Sequence, residues 1–290
     1  MSLTILPLAV QGIKIEKDGP LVFSSEGFAI PEGEKTRLHI FIEEGEPYNL
    51  NISVGRNAFL ELFLESRLSK ERRCTTKLVL EDSAKVKLKE IHHNTGMLKT
   101  EHDFSCGENS SLEREVINFS FGKIVLNLKC ALVGENASFS DAEVHFGSQK
   151  GETENKIEVL HEASETKSVI KVKSALKDAS RNFTIGNVVV KKATMNADTF
   201  FSAHALLLDK DASASAIPSL EIESADVQAG HAASVTNIDE DSLFYLMSRG
   251  LSFEDARKEM VRGFLQDLLD DKKISELIEE QWQQNLMLSV

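Results

Sequence analysis

A small residue recurs at nearly constant spacing along the middle of this chain, each time inside a short polar turn. The small residues stand at positions 58, 84, 110, 137 and 163, so the spacings are 26, 26, 27 and 26. A fixed period of this size is typical of stacked repeats, because each repeat must cover the apolar face of its neighbour. Asp, Asn and Ser suit such turns, since their side chains hydrogen-bond to nearby backbone and tolerate unusual dihedrals. Each turn therefore predicts one corner of a solenoid.

The segments between the turns have the texture of strands. No proline occurs between Pro47 and Pro218, and short apolar-polar alternations fill this interval, as in 126–132. Alternation puts one apolar face inside a coil. The fold class is thus mainly β, and we predict a right-handed parallel β-helix (a solenoid) over residues 56–236. An antiparallel sandwich also shows alternating strands, but the constant period disfavours it.

The two ends of the chain differ from the middle. Residues 1–55 hold four of the five prolines and predict a less regular N-terminal β cap. Residues 237–290 predict a C-terminal α-helical subdomain. Its first helix begins near Asn237 or Asp239 and ends at Gly250 in the C′ position.

Two more helices are predicted in this tail. Ser252 caps the second, with Asp255 in a capping-box arrangement. The apolar stripe of the second helix consists of Phe253, Ala256, Met260, Phe264 and Leu268. The third helix runs from Ile274 to about Leu288 and presents Leu277, Ile278, Trp282 and Leu286.

Composition excludes several classes of function. The net charge of −13 argues against nucleic acid as a partner, because that affinity depends on clustered Lys and Arg. No stretch approaches the run of about 20 apolar residues that spans a bilayer, so no membrane partner is expected. The N-terminus lacks a basic segment ahead of its short apolar run, and we expect a cytoplasmic protein. No GxxxxGK[ST], GxGxxG or GxSxG motif occurs, so any ATP hydrolysis requires another chain.

The segment from Pro218 to Phe264 resembles the closing part of the SufB/SufD family. The resemblance is carried by Leu220-Glu221-Ile222, Ala225-Asp226-Val227, His231, Leu243-Phe244-Tyr245-Leu246 and Ser248-Arg249-Gly250-Leu251-Ser252. Those proteins are scaffold subunits of the SUF iron–sulfur cluster assembly machinery. The resemblance implies a subunit that is not itself an enzyme, in a homodimer or in a heterodimer with a SufB-like paralogue.

The same resemblance implies a partner for the helical tail. In the family, an ABC-type ATPase (SufC-like) docks on the C-terminal helices, and its ATP-driven dimerisation strains the interface between two β-helix subunits. The partner-binding residues predicted here are Phe244, Tyr245, Arg249, Phe253, Met260 and Phe264. The tail carries twelve Asp and Glu against six Lys and Arg, so it suits a basic partner.

His231 matches the histidine that the family places near the end of the β-helix, where assembly occurs. Imidazole is a competent iron ligand, so His231 is a candidate ligand of iron or of a transient iron–sulfur cluster at a subunit interface. No tightly bound cofactor is expected. The alternative is a structural histidine that is hydrogen-bonded at a corner. His204 precedes His231 by close to one period and would stack with it on the adjacent coil.

The surroundings of His231 depart from the family pattern. SufB-like members have Glu-His-Glu where this chain has Gly230 and Ala232, and SufD-like members often have cysteine at the position of Ala229. Ala203 and His204 occupy the neighbourhood of the cluster-associated cysteine. Thiolates are missing where a cluster needs them, which makes this chain closer to the SufD-like type.

The remaining cysteines and histidines indicate no site. Cys74, Cys106 and Cys130 form neither a disulfide framework nor a CxxC motif, and Cys130 falls on an inward position. His92, His93, His102 and Cys106 match no zinc spacing and are interpreted as surface residues.

Two other functions remain open at this point. A carbohydrate-active parallel β-helix enzyme, such as a lyase or glycosidase, needs clustered carboxylates and aromatic platforms, and the chain has one Trp and two Tyr. A structural β-helix polymer would not need so elaborate a tail.

Overall fold

The computed structural model describes residues 13–24, 27–42, 48–269 and 271–287. The strands are β1 (Ile13–Asp18), β2 (Val22–Ser24), β3 (Gly27–Ile30), β4 (Lys35–Ile42), β5 (Tyr48–Val54), β6 (Phe59–Leu68), β7 (Arg72–Leu80), β8 (Lys85–Asn94), β9 (Met97–Cys106), β10 (Ser111–Ser120), β11 (Lys123–Leu132), β12 (Ser138–Gly147), β13 (Glu152–His161), β14 (Lys167–Leu176), β15 (Arg181–Val190), β16 (Ala197–Leu207), β17 (Ser213–Ile222) and β18 (Val227–Asn237). The helices are α1 (Glu240–Ser248), α2 (Phe253–Gln266) and α3 (Lys272–Met287).

Alternate strands build two sheets that face each other. The first sheet has the order β1-β4-β6-β8-β10-β12-β14-β16-β18, and the second has the order β17-β15-β13-β11-β9-β7-β5-β3-β2. Neighbours run parallel, except that β1 pairs with β4 and β2 with β3 in the antiparallel sense. Each coil adds one strand to each sheet. The predicted parallel β-solenoid is therefore confirmed.

One row of corners explains the sequence period. Asn57, Ser83, Asn109 and Asn136 have φ between 56° and 60°, and the small residue after each is buried. The fifth predicted corner also forms, over 162–166, but its left-handed residue is Glu165 and its buried small residue is Thr166, three positions after the predicted Ala163. The opposite corner lengthens from 95–96 in one coil to 148–151 in a later one. Paired residues of the first sheet also become further apart in sequence: Lys85 pairs with Ser111, whereas Ser138 pairs with Lys167.

The helix ends follow the predicted chemistry. The Asp239 side chain caps α1 and accepts from the Ser242 backbone N–H, and Gly250 follows α1 with φ +98°. Ser252 caps α2 and accepts from the backbone N–H of Asp255. The third helix is predicted from Ile274 and begins at Lys272.

The buried face of α2 differs from the predicted stripe. Its buried residues are Ala256, Arg257, Val261 and Leu265, whereas Phe253 is exposed. Two stripes of α2 are apolar, and they lie about 100° apart around the helix because they are offset by one residue. Packing on the solenoid buries the stripe centred on Val261.

The helices cover a side of the solenoid. Val261, Leu265, Ile274, Leu277, Ile278 and Trp282 form one apolar layer with Ile91, Ile117, Phe119, Val144 and Phe146 from the outer face of the first sheet. Ion pairs join Lys89 to Asp271 and Lys173 to Asp267 at the margins. The helices therefore cover the outer face of the first sheet, and in the described residues they do not cover the open end of the solenoid. The predicted contribution of Leu286 lies outside the described side chains.

Candidate functional site

The C-terminal end of the solenoid is open. β17 and β18 are the last strands of their sheets, and the described residues place no further coil over them. In β18, Ala229, His231 and Ala233 pair with Thr199, Phe201 and Ala203, which are buried residues facing the interior. His231 therefore faces inward, but it is exposed because no coil covers it. His231 lies within a strand, and in the described part of the chain its side chain has no hydrogen-bond partner.

His204 does not join His231. The predicted stacking of the two histidines is wrong, because the register of β16 on β18 places His204 opposite Ser234 and Phe201 opposite His231. The remaining difference of three positions is odd, so the two side chains leave the sheet on opposite faces. His204 is outward, half-buried, and 2.8 Å from the Ser234 hydroxyl through Nδ1.

The departures at 230 and 232 also lie on the outer face. Gly230 and Ala232 alternate with His231, so these two positions face away from the interior of the solenoid. A Cβ on Gly230 would come within 3.2 Å of the Phe200 ring. The glycine therefore lets an exposed aromatic ring lie against the strand.

The interior directly behind His231 is filled by an aromatic ring. Phe201 is 1% exposed, and its ring lies so close to Gly186 of the second sheet that a Cβ there would come within 2.1 Å of it. His231 thus stands on an apolar floor at the open end.

The described residues contain no group of three or more His, Cys, Asp or Glu with metal-binding geometry. His231 by itself offers one nitrogen ligand, and its inward neighbours on β18 are alanines. Any iron or cluster held at this end would therefore need donors from another chain.

The tail presents an apolar surface to solvent, which we call the helix patch: Phe244, Tyr245, Met247 and Phe253. Phe244 is the most exposed at 73%. Arg249 stacks over the Tyr245 ring at 5.2 Å and donates to its hydroxyl at 3.2 Å, so both are held in place.

The other two predicted partner-binding residues are less available. Phe264 is only partly exposed, packs against the apolar layer over the first sheet, and lies under the Lys173 ammonium at 4.8 Å. Met260 is also half-buried.

A cleft of about 1170 Å³ separates the helix patch from the corners of the solenoid. Leu208, Lys210, Leu243, Phe244, Met247 and Phe253 are among its lining residues. Arg257 of α2 is bonded to two of the lining residues: its buried guanidinium donates to the Leu208 carbonyl at 3.2 Å and to Asp209 at 2.7 Å. The helices and the last corner are therefore tied together.

The interior of the middle coils holds an ionic cluster that the sequence did not reveal. Arg114 donates through Nε to Glu90 at 2.7 Å and through Nη1 to Asp141 at 3.1 Å and Glu143 at 2.5 Å. His145 Nε2 lies 2.9 Å from Glu143. All of these side chains are 1% exposed or less.

Two histidines interpreted as surface residues belong to this cluster, so that interpretation is wrong. His92 and His102 are buried, and their Nε2 atoms lie 3.3 and 3.2 Å from the same Glu90 oxygen. Cys106 is buried too, whereas His93 lies on the outer, helix-covered face. Alternation inside β8 and β9 decides this: even-numbered positions face inward.

Charge in the cluster is distributed unevenly. Burial alone would raise the pKa of Glu90, but attraction to Arg114 and His102 holds it well below its usual value. Burial likewise opposes ionisation of Glu143, yet Arg114 and the His145 hydrogen bond lower its pKa to about 2. Burial and the two neighbouring carboxylates raise the pKa of Asp141 well above its usual value. Arg114 therefore favours the ionised forms of Glu90 and Glu143, whereas burial next to these two carboxylates disfavours ionisation of Asp141.

The cysteines are free and buried, as expected of small hydrophobic side chains. Cys130 pairs with Phe104, which puts Cys106 two positions away on the same inward face. Burial and a hydrogen bond with Cys106 raise the pKa of the Cys130 thiol. Cys130 is therefore a poor nucleophile.

A second buried histidine site was also missed. His161 bonds through Nδ1 to the Thr166 hydroxyl and through Nε2 to the Ser168 hydroxyl, both at 2.8 Å. Burial lowers its pKa to about 4. It is a neutral structural histidine.

Comparison with known proteins agrees with the fold and the tail. A family model described as "SUF system FeS cluster assembly, SufBD core domain" matches residues 43–264. An iron-sulfur cluster assembly SufBD family protein of Mycobacterium leprae is 34% identical over 137 residues, which are 47% of this chain and 16% of that protein. One from Staphylococcus saprophyticus is 31% identical over 137 residues, 47% of this chain and 30% of that protein. The matched segment thus spans less than a third of either relative. No helix in the described ranges is long and apolar enough to cross a membrane.

Proposed function

Because the chain belongs to the SufBD family of iron–sulfur cluster assembly proteins, we propose that it is a non-catalytic scaffold subunit of a SUF-type assembly complex. It docks an ABC-type, SufC-like ATPase through its C-terminal helices. It meets a second solenoid subunit, a copy of itself or a SufB-like paralogue, at its open end. The family match does not favour a carbohydrate-active enzyme.

The observation that carries the docking proposal is the helix patch. Helices α2 and α3 bury their apolar faces on the first sheet, yet Phe244, Tyr245, Met247 and Phe253 remain in solvent. Exposed apolar clusters of this kind mark interaction sites. The acidic residues Glu240 and Asp241 in the first turn of α1 suit a basic partner surface.

The open end supports the second part of the proposal. β17 and β18 have free edges there, and a free edge pairs readily with another chain. His231 then stands at the junction and holds iron or a transient cluster together with donors from the second subunit. Iron and sulfide are cargo in this function.

The anchoring of the tail supports a direct mechanical route. Apolar contacts and the ion pairs of Asp267 and Asp271 hold α2 and α3 on the first sheet. Arg257 ties α2 to the corner after β16. When an ATPase pulls on the helix patch, the force is therefore transmitted to the coil next to the open end.

Point variants test the docking better than deletion of the tail, because deletion would uncover the outer face of the first sheet. We expect Phe244→Ala combined with Phe253→Ala to reduce copurification of the cognate ABC-type ATPase at least tenfold, with an unchanged circular dichroism spectrum. Met195→Ala is the matched control, since Met195 is 57% exposed at a distant corner. Undiminished copurification by the double variant would refute docking at this surface.

A histidine variant tests the cargo role. His231→Ala should lower the iron and sulfide content of the reconstituted complex without lowering ATPase binding. The control is His204→Gln, which changes a histidine on the neighbouring strand and the opposite face. Equal iron and sulfide content in the His231 variant and the wild type would exclude the ligand role.

A further inference from the structure

The buried ionic cluster joins three successive coils through one cation. Arg114 is on β10, Glu90 is on β8 before it, and Asp141 and Glu143 are on β12 after it. Removing any one of these strands from the stack separates Arg114 from a carboxylate. The cluster therefore depends on the order of the coils as well as on their presence.

The other inward-facing features of these coils distinguish one order from another less sharply. Each corner has a left-handed residue, Ser83, Asn109 or Asn136, followed by a small buried one. Leu60, Val86 and Leu112 follow one another in register at one inward position. Aliphatic side chains of similar size pack almost interchangeably. A stack that skips β10 would thus still place an apolar side chain against Val86, because Leu112 is followed by Phe139 in the same column.

Inside the solenoid, a skipped coil is most costly in the cluster. Glu90, Val116 and Glu143 share one inward column, so loss of β10 would bring the two carboxylates together without Arg114. Loss of β12 would put Arg114 beside Ile170 and remove two of its partners. An unpaired buried charge is far more destabilising than an aliphatic mismatch.

We propose that the cluster of Glu90, Arg114, Asp141 and Glu143 is a registry device, which selects the native order of β8, β10 and β12 against stacks that omit a coil. Its role is specificity during folding, when parallel strands distant in sequence must find each other. This inference is independent of the proposed function.

The test is a neutral cluster in the full chain: Glu90→Gln, Arg114→Gln, Asp141→Asn and Glu143→Gln together. The matched control is Lys87→Gln with Glu113→Gln, which removes an exposed ion pair at 3.4 Å between β8 and β10 on the outer face. Each protein is unfolded in guanidinium chloride, refolded, and analysed by hydrogen exchange with mass spectrometry over the β10 and β12 peptides.

In the neutral variant we expect two mass envelopes for these peptides, one protected and one exchanged, because molecules that omit a coil leave its strand unpaired. Wild type and control should each give one protected envelope. A single protected envelope in the neutral variant would overturn the proposal. If the neutral variant gives no protected envelope, a second variant replaces the cluster with apolar residues: Glu90→Leu, Arg114→Met, Asp141→Leu and Glu143→Leu. This variant must show two mass envelopes. A single envelope, whether protected or exchanged, would overturn the proposal.

Discussion

The neutral histidine His161 makes the stability of the solenoid depend on pH in a defined way. Burial lowers its pKa to about 4 in the folded protein, against an ordinary value of about 6.5 in the unfolded chain. Below about pH 6.5, His161 is therefore protonated in the unfolded state but stays neutral in the folded state until the pH approaches 4. The free energy of unfolding consequently falls as pH falls, and the contribution is complete only above about pH 6.5.

The magnitude follows from the two pKa values. Between pH 7.5 and pH 5 the protein should lose about 2 kcal/mol through this residue, because each unit of pH below the unfolded pKa costs about 1.4 kcal/mol. His161→Gln keeps a polar side chain near the Thr166 and Ser168 hydroxyls but does not titrate. Its stability at pH 7.5 should be lower than that of the wild type, while its loss on acidification should be smaller by about 2 kcal/mol.

Urea unfolding followed by far-ultraviolet circular dichroism at several pH values measures both quantities. Contributions of the other titrating groups are common to the two proteins and cancel in the difference. His231→Gln is the control, because it makes the same substitution at an exposed histidine of the same chain. Parallel stability curves for wild type and His161→Gln would refute the assignment of a neutral buried imidazole.

Three further predictions concern packing. Gly186→Ala should destabilise the protein by more than the roughly 1–3 kcal/mol of ordinary overpacking, since its Cβ would meet the Phe201 ring, and Phe201→Leu should restore part of the loss in denaturant melts. Ser83→Val should cost about 1–3 kcal/mol at a φ of 60°, whereas Ser83→Gly should cost less, and equal midpoints would contradict this. Deletion of 237–290 should expose Phe119 and Phe146, so increased dye binding and aggregation are expected; a monodisperse truncated protein would argue against the helical cover.

The period in the sequence was sufficient to predict the solenoid because corners need special backbone chemistry. A left-handed residue followed by a small one is visible in the letters of each turn up to Asn136. The predicted position at Ala163 is three residues early because the lengthening occurs at the opposite corner, where no spacing rule applies. Helix caps were predicted well for the same reason: Asp239, Ser252 and Gly250 act within one turn of chain.

Features that depend on pairing between coils were not predictable from spacing. His204 and His231 are separated by about one period, yet the local register pairs His204 with Ser234 and so puts the two histidines on opposite faces. His92 and His102 were interpreted as surface residues because their spacing matches no zinc site. Their inward orientation depends on the alternation of side chains within β8 and β9. Their contact with the Glu90 carboxylate depends on how the fold places these two strands.

The helical hairpin of α2 and α3 constrains how a gene for this protein can change length. Its contacts reach Lys89 on β8, Lys173 on β14 and Asp209 at the corner after β16, so the number of coils between these points is fixed by the length of two helices. A duplication or loss of one coil within that interval would change the separation of these contacts, so the three could not all form. A duplication ahead of β8 would disturb none of them. Gain of whole coils ahead of β8 is therefore compatible with all three contacts.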